Sequence, residues 1–131
     1  MAEGARERGR PLSVCVLRVA PGREVTLARQ GGWLDRAMPQ IGAMVSRLVR
    51  SEDTAARLAP EVFALALPAT RGEAATLTAE RIAAVIGCTA FDAGPERPPF
   101  VVEFQVGAAE MRPGESPAAL LERASLAVGA G

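Results

Sequence analysis

The stretch RSEDTAARLAPEVFALALP, Arg50 to Pro68, decides the fold. Two short apolar runs, residues 54–59 and 62–68, flank Pro60-Glu61. Apolar runs broken by a two-residue turn signal predict a β-hairpin. The front of the stretch, Arg50-Ser51-Glu52-Asp53, gathers charge as a binding site does. The turn itself carries Ala59, Pro60, Glu61 and Val62, where a nucleotide-handling hairpin would want glycines and paired carboxylates. The stretch therefore poses a choice between an enzyme and an enzyme fold that keeps only a ligand site.

Working outward, PLSVCVLRV (11–19) predicts a strand ended by Pro21-Gly22. From Arg23 to Arg50 the apolar residues fall at helical spacing, with Ile41, Met44, Val45, Leu48 and Val49 on one stripe. Gly31-Gly32 divides this region into helices near 23–30 and 33–50. After the hairpin, Thr70 with Glu73 three residues on reads as a capping box, and Gly87 ends that helix. A strand near 88–91, a Pro/Gly loop at 92–99 and a strong strand at 100–110 follow. Ser116-Pro117 opens the last helix. The order β-αα-ββ-α-β-β-α predicts an α+β fold, a mainly antiparallel central sheet flanked by helices. Residues 1–10 read as a linker or helix remnant, and 11–131 as one domain.

Composition narrows the function. The 131 residues suffice for a core, and 15 basic residues balance 15 acidic ones. No net field draws the chain to DNA or to a membrane. Every basic residue is arginine, and histidine, the commonest general base and metal ligand, is absent. Cys15 and Cys88 both sit in apolar surroundings, which predicts two buried thiols in a cytoplasmic protein. No apolar run approaches the roughly 20 residues of a membrane span, and no signal-peptide core follows the charged first ten residues. Trp33, Met38 and Met44 read as core, and Glu103 and Gln105 as solvated residues.

Arranged in this order, the motifs resemble the GGDEF (diguanylate cyclase) family over nearly the whole chain. The carriers are the aliphatic first strand after a basic segment, Arg50-x-x-Asp53 followed five residues later by APEVF and ALALP, AERI at 79–82, FQVGAA at 104–109 and LLERAS at 120–125. The family's opening helix has no counterpart, which predicts a fragment or the C-terminal output domain of a larger regulator.

The resemblance implies a catalytic history. Active members condense two GTP molecules into cyclic di-GMP, with carboxylate-held metal ions neutralising the triphosphate. By resemblance, Arg18 stands at one metal-binding carboxylate position and Ala20 at a neighbouring aspartate. Ala59 and Pro60 replace the hairpin glycines, and Glu61-Val62 the acidic pair. Thr26 stands at the guanine-reading asparagine. Asp35 (a guanine-reading position) and Glu61 (a metal-ligand position) remain in kind. Arginine at a metal site repels a divalent cation, and proline removes an N–H and fixes φ where the backbone should approach the nucleotide. No catalysis, metal or cofactor is expected. Arg18 and Glu61 are expected to pair across the vacated metal site.

The family's product-inhibition site is matched by Arg50, Asp53 and Arg81. Guanine offers O6 and N7 to a guanidinium, its N1–H and amino group suit a carboxylate, and arginine also stacks on the base and pairs with phosphate. The expected ligand is cyclic di-GMP, as an intercalated dimer; Arg6, Arg8 and Arg10 are candidates for a further contact. The plain alternative is an Arg50–Asp53 ion pair at a helix end with Arg81 on an ordinary exposed face. The functional expectation is a non-catalytic cyclic di-GMP receptor resembling cell-cycle effectors of the PopA type, signalling by protein contact and capable of forming a homodimer. The rivals are an interaction module that binds no nucleotide and a residual GTP-binding domain or enzyme.

Overall fold

The computed structural model describes residues 10–21, 33–91, 99 and 101–128, with backbone only at Pro21 and at 33–36. Its elements run β1 (Leu12–Pro21), α1 (Trp33–Leu48), β2 (Thr54–Ala59), β3 (Val62–Pro68), α2 (Gly72–Gly87), β4 (Val102–Glu110) and α3 (Pro117–Leu126). The strands form one sheet in the order β2-β3-β1-β4. Every neighbouring pair is antiparallel. This is the α+β arrangement, a mainly antiparallel sheet flanked by helices, that the sequence predicts.

Alternation along β1 sets the two faces, because successive strand side chains point to opposite sides. Cys15, Leu17 and Val19 face the larger core with Phe63, Leu65 and Leu67 of β3. Helix α1 adds Ala37, Met38, Ile41 and Val45 to it, and α2 adds Ala75, Ala79, Ile82 and Ile86. Leu12 and Val16 face the other way and meet Ala109 of β4 and Leu120 and Ala124 of α3. On that side α3 lies directly on the sheet. A Cβ at Gly107 would stand 2.5 Å from the Ala124 carbonyl oxygen and 2.6 Å from the Val128 nitrogen.

Local details depart from expectation in three places. The N-cap of α2 is Arg71, without a side-chain cap, so the Thr70–Glu73 capping box does not form. The free Gly72 N–H is instead taken by Glu110 Oε1 of β4 at 2.8 Å. Residues 88–91 contribute only a one-residue bridge at Phe91, because Cys88 is the C-cap of α2 in the αR conformation. That position also leaves Cys88 exposed, while Cys15 is buried, so only one thiol of the expected buried pair lies inside. At α3, Ser116 accepts a hydrogen bond from Ala119 N and Pro117 fills the first turn, as predicted. The segment expected as helix 23–30, the expected loop 92–99 apart from Pro99, and residues Thr26, Arg6 and Arg8 lie outside the described residues, as do the side chains of Trp33 and Asp35.

Candidate functional site

The turn between α1 and β2 sets the position of Arg50 and Asp53. Asp53 Oδ2 accepts from the Arg50 backbone N–H at 2.9 Å, and the Asp53 N–H donates to the Arg50 carbonyl at 3.0 Å. The two side chains then meet again. Arg50 Nη2 lies 3.2 Å from Asp53 Oδ1, and Nε donates to Oδ2 at 3.3 Å. The Asp53 side chain is 2 % exposed and that of Arg50 51 %. The carboxylate is thus an interior anchor and the guanidinium opens to solvent. Its hydrogen bond to Asp53 raises the Arg50 pKa further, keeping it a fixed cation.

Arg50 also crosses to the β3–α2 joint. Nη2 donates to the Thr70 hydroxyl at 2.8 Å and to the Pro68 carbonyl at 3.3 Å. Thr70 is in turn held by β1, whose Ser13 hydroxyl donates to the Thr70 carbonyl at 2.7 Å. Ala69 makes the bend possible at φ 54, a left-handed conformation that strains a residue carrying a Cβ. Beneath this joint Cys15 donates to the Ala75 carbonyl at 3.1 Å. Burial, reinforced by the Asp53 charge, pushes its thiol up to about 12.

These parts wall an open cleft of about 600 Å³ between the α1–β2 turn and α2. Arg50, Asp53 and Arg81 all line it. The pairing of Arg50 with Asp53 is the ion pair that the plain alternative foresaw, but its carboxylate is buried, and Arg81 faces the same cavity. Sequence reasoning missed Thr70 as a cleft residue and did not single out Arg71 or Thr78, which also line it. Their proximity depends on the left-handed turn at Ala69, which alanine does not advertise.

The opposite end of the sheet carries the other sequence-predicted positions. Arg18 on β1 stands between Val62 of β3 and Gln105 of β4. Its Nη1 donates to Gln105 Oε1 at 3.1 Å. Arg18 and Glu61 make no direct ion pair; the guanidinium bonds instead to the amide directly across the ladder. Gln105 thereby has a partner that the sequence did not suggest. Glu61 sits in the hairpin turn, and its carbonyl accepts from Val19 N at 2.8 Å. The turn is further closed by Arg57 Nη2, which donates to the Pro60 carbonyl at 2.7 Å. A divalent cation does not fit this donor set. A guanidinium occupies the strand end, and among the described residues no group of three or more Asp, Glu, Cys or His stands close enough to hold a metal ion. No helix among the described residues is long and apolar enough to cross a membrane.

Comparison with known proteins places this architecture. No curated protein matches the chain by sequence. Among solved structures, the diguanylate cyclase SiaD from Pseudomonas aeruginosa, determined with its activator SiaC, is 26 % identical with a TM-score of 0.81 over 95 % of this chain. This chain spans 47 % of the SiaD chain, about half its length. The GGDEF domain of DgcB from Caulobacter crescentus, determined with c-di-GMP, shares the fold at 22 % identity and a TM-score of 0.81, over 98 % of this chain and 76 % of that one. The FimX GGDEF domain from P. aeruginosa does so at 15 % identity and 0.78, over 95 % and 76 %. The family model described as "Diguanylate cyclase, GGDEF domain" matches residues 32–130, more than half of the chain, and the chain belongs to the GGDEF family.

Proposed function

We propose that residues 11–131 form a non-catalytic, cytoplasmic receptor domain for cyclic di-GMP, bound at Arg50, Asp53 and Arg81 and signalling through protein contact in the manner of PopA-type effectors. The observation that carries this reading is the convergence of those three residues on one open cleft. Arg50 is held for the task. Asp53 and Thr70 fix its planar fork, so a guanine edge meets a guanidinium that has already lost its rotamer freedom. Arg81 is exposed on α2 and forms no ion pair or hydrogen bond with another described residue, which leaves it available for a phosphate or a base face. The ligand is a cyclic dinucleotide, as an intercalated dimer that presents each guanine group in duplicate. Such a dimer could bridge two copies of the domain.

Loss of catalysis is supported by the other end of the sheet. Phosphoryl transfer needs metal ions to neutralise the triphosphate. Here Arg18 faces Gln105, and the hairpin turn presents Pro60 and Val62.

Titration calorimetry with cyclic di-GMP and with GTP plus Mg²⁺ tests the proposal. Cyclic di-GMP is expected to bind in the micromolar range or better. Arg81→Ala, at an exposed site, is expected to weaken it by about 1.5–3 kcal/mol without unfolding the domain. Equal isotherms for the wild type and Arg81→Ala would remove Arg81 from the site. A second reading, an interaction module that binds no nucleotide, is favoured by one observation: the Arg50 donors already have partners in Asp53, Pro68 and Thr70. Absence of any heat with either nucleotide would select it.

A further inference from the structure

Arg71 is the cleft arginine that the family resemblance does not assign. It is the N-cap of α2, is exposed, and lines the same cavity as Arg50 and Arg81. Its side chain makes no hydrogen bond or ion pair with another described residue. The charge balance inside the cleft gives this weight. Three arginines face two carboxylates, Asp53 and Glu73. Asp53 is spent on Arg50, and Arg50 has Glu52 as a further counter-charge at 3.5 Å. Among the lining residues this leaves Arg71 and Arg81 facing Glu73, an excess of one positive charge.

Spacing adds a second constraint. Arg71 and Arg81 stand ten residues apart at the edge of one helix, about 15 Å at 1.5 Å per residue. Both side chains line one cavity from different turns of the helix, so each guanidinium can take a phosphate of its own. A ligand with two phosphodiesters offers one to each. Arginine is suited to this role, since it is always charged and offers a fork to phosphate oxygens.

We infer that Arg71 is a phosphate-binding residue of this cleft, which with Arg81 brackets a ligand carrying two separated phosphates and selects cyclic dinucleotides over mononucleotides. This inference rests on the proposed receptor function and deepens it. The test compares wild type, Arg71→Ala, Arg71→Lys and Arg47→Ala by calorimetry, with cyclic di-GMP and with GMP, at low and high salt. Arg47 lies on α1 outside the cleft and controls for the change in net charge. Arg71→Ala is expected to weaken cyclic di-GMP about tenfold or more, to change GMP binding little, and to reduce the salt dependence; Arg71→Lys is expected to recover part of the affinity. Arg47→Ala is expected to bind as wild type does. Wild-type binding left unchanged in Arg71→Ala overturns the role of Arg71 and leaves the receptor reading standing. Equal losses in Arg71→Ala and Arg47→Ala overturn it too, by showing a general charge effect. No binding of cyclic di-GMP by the wild type overturns the receptor reading itself.

Discussion

Arg50 and Thr70 meet at 2.8 Å across the floor of the cleft, twenty residues apart in sequence. The Thr70 hydroxyl accepts from Arg50 and donates to the Pro68 carbonyl at 3.0 Å, and its own carbonyl is held by Ser13. One 7 % exposed residue thus ties the α1–β2 turn, the end of β3 and β1 together.

Replacing Thr70 with valine keeps the shape and deletes both hydroxyl contacts. Thr70→Val is expected to cost about 1–2 kcal/mol of stability, since each lost hydrogen bond contributes roughly 0.5–1.5 kcal/mol. It should also weaken cyclic di-GMP binding, because Arg50 loses one of its supports. Urea unfolding and calorimetry measure the two effects; a variant unchanged in both would show that Thr70 positions nothing.

Gly107→Ala tests the packing of α3 on the sheet. The added methyl meets backbone at 2.5 Å and 2.6 Å, and backbone cannot rotate away. The helix must shift, at about 1–3 kcal/mol for overpacking. Denaturant midpoints report the loss, and a midpoint equal to wild type would mean that α3 is not seated as described.

The joint before α3 carries a pH dependence. Arg123 reaches Glu115 with Nε 2.6 Å from Oε2, and the Arg112 N–H donates to the same carboxylate. The Arg123 bond, then the Arg112 N–H, hold Glu115 down at about 2, below its ordinary 4.5. A lowered folded-state pKa means that the stabilisation is present above about 4.5 and is lost as the pH falls toward about 2. Glu115→Gln is therefore expected to lower the melting temperature at pH 7 and to leave it nearly unchanged near pH 2. Thermal melts across that range check it; a constant difference would exclude ionisation as the cause.

Purified domain is expected to form no cyclic di-GMP from GTP with Mg²⁺ or Mn²⁺. The double change Arg18→Asp, Val62→Glu is not expected to restore turnover, because Pro60 still fixes the hairpin backbone and removes an N–H. Chromatographic assay of the products decides this, and turnover surviving controls for contaminating cyclase would refute the non-catalytic assignment.

The hairpin was legible in the sequence because two short apolar runs and a Pro-Glu turn are local signals; β2 and β3 occupy 54–59 and 62–68 as read. The start of α3 was legible for the same reason, since Ser116-Pro117 acts within its own turn. What escaped was set by residues far apart in the chain. Glu110 caps α2 from 38 positions away, which displaced the local Thr70–Glu73 reading. Gln105 captures Arg18 across 87 positions, through a strand register that no single segment encodes. Cys88 looked internal by its apolar neighbours, yet a helix end turned it outward. In the cleft, Arg50 and Asp53 were visible as a motif, whereas Arg71 and Thr78 needed the fold to bring them to the same wall.

The left-handed bend at Ala69 has a kinetic meaning as well. Because that bend and the Ser13 bond fasten the cleft floor to β1, an inner strand of the sheet, the floor is built before a ligand arrives. An entering molecule then loses its own freedom but freezes little of the protein's. Association should proceed in a single fast phase, without the plateau at high ligand concentration that a slow rearrangement imposes.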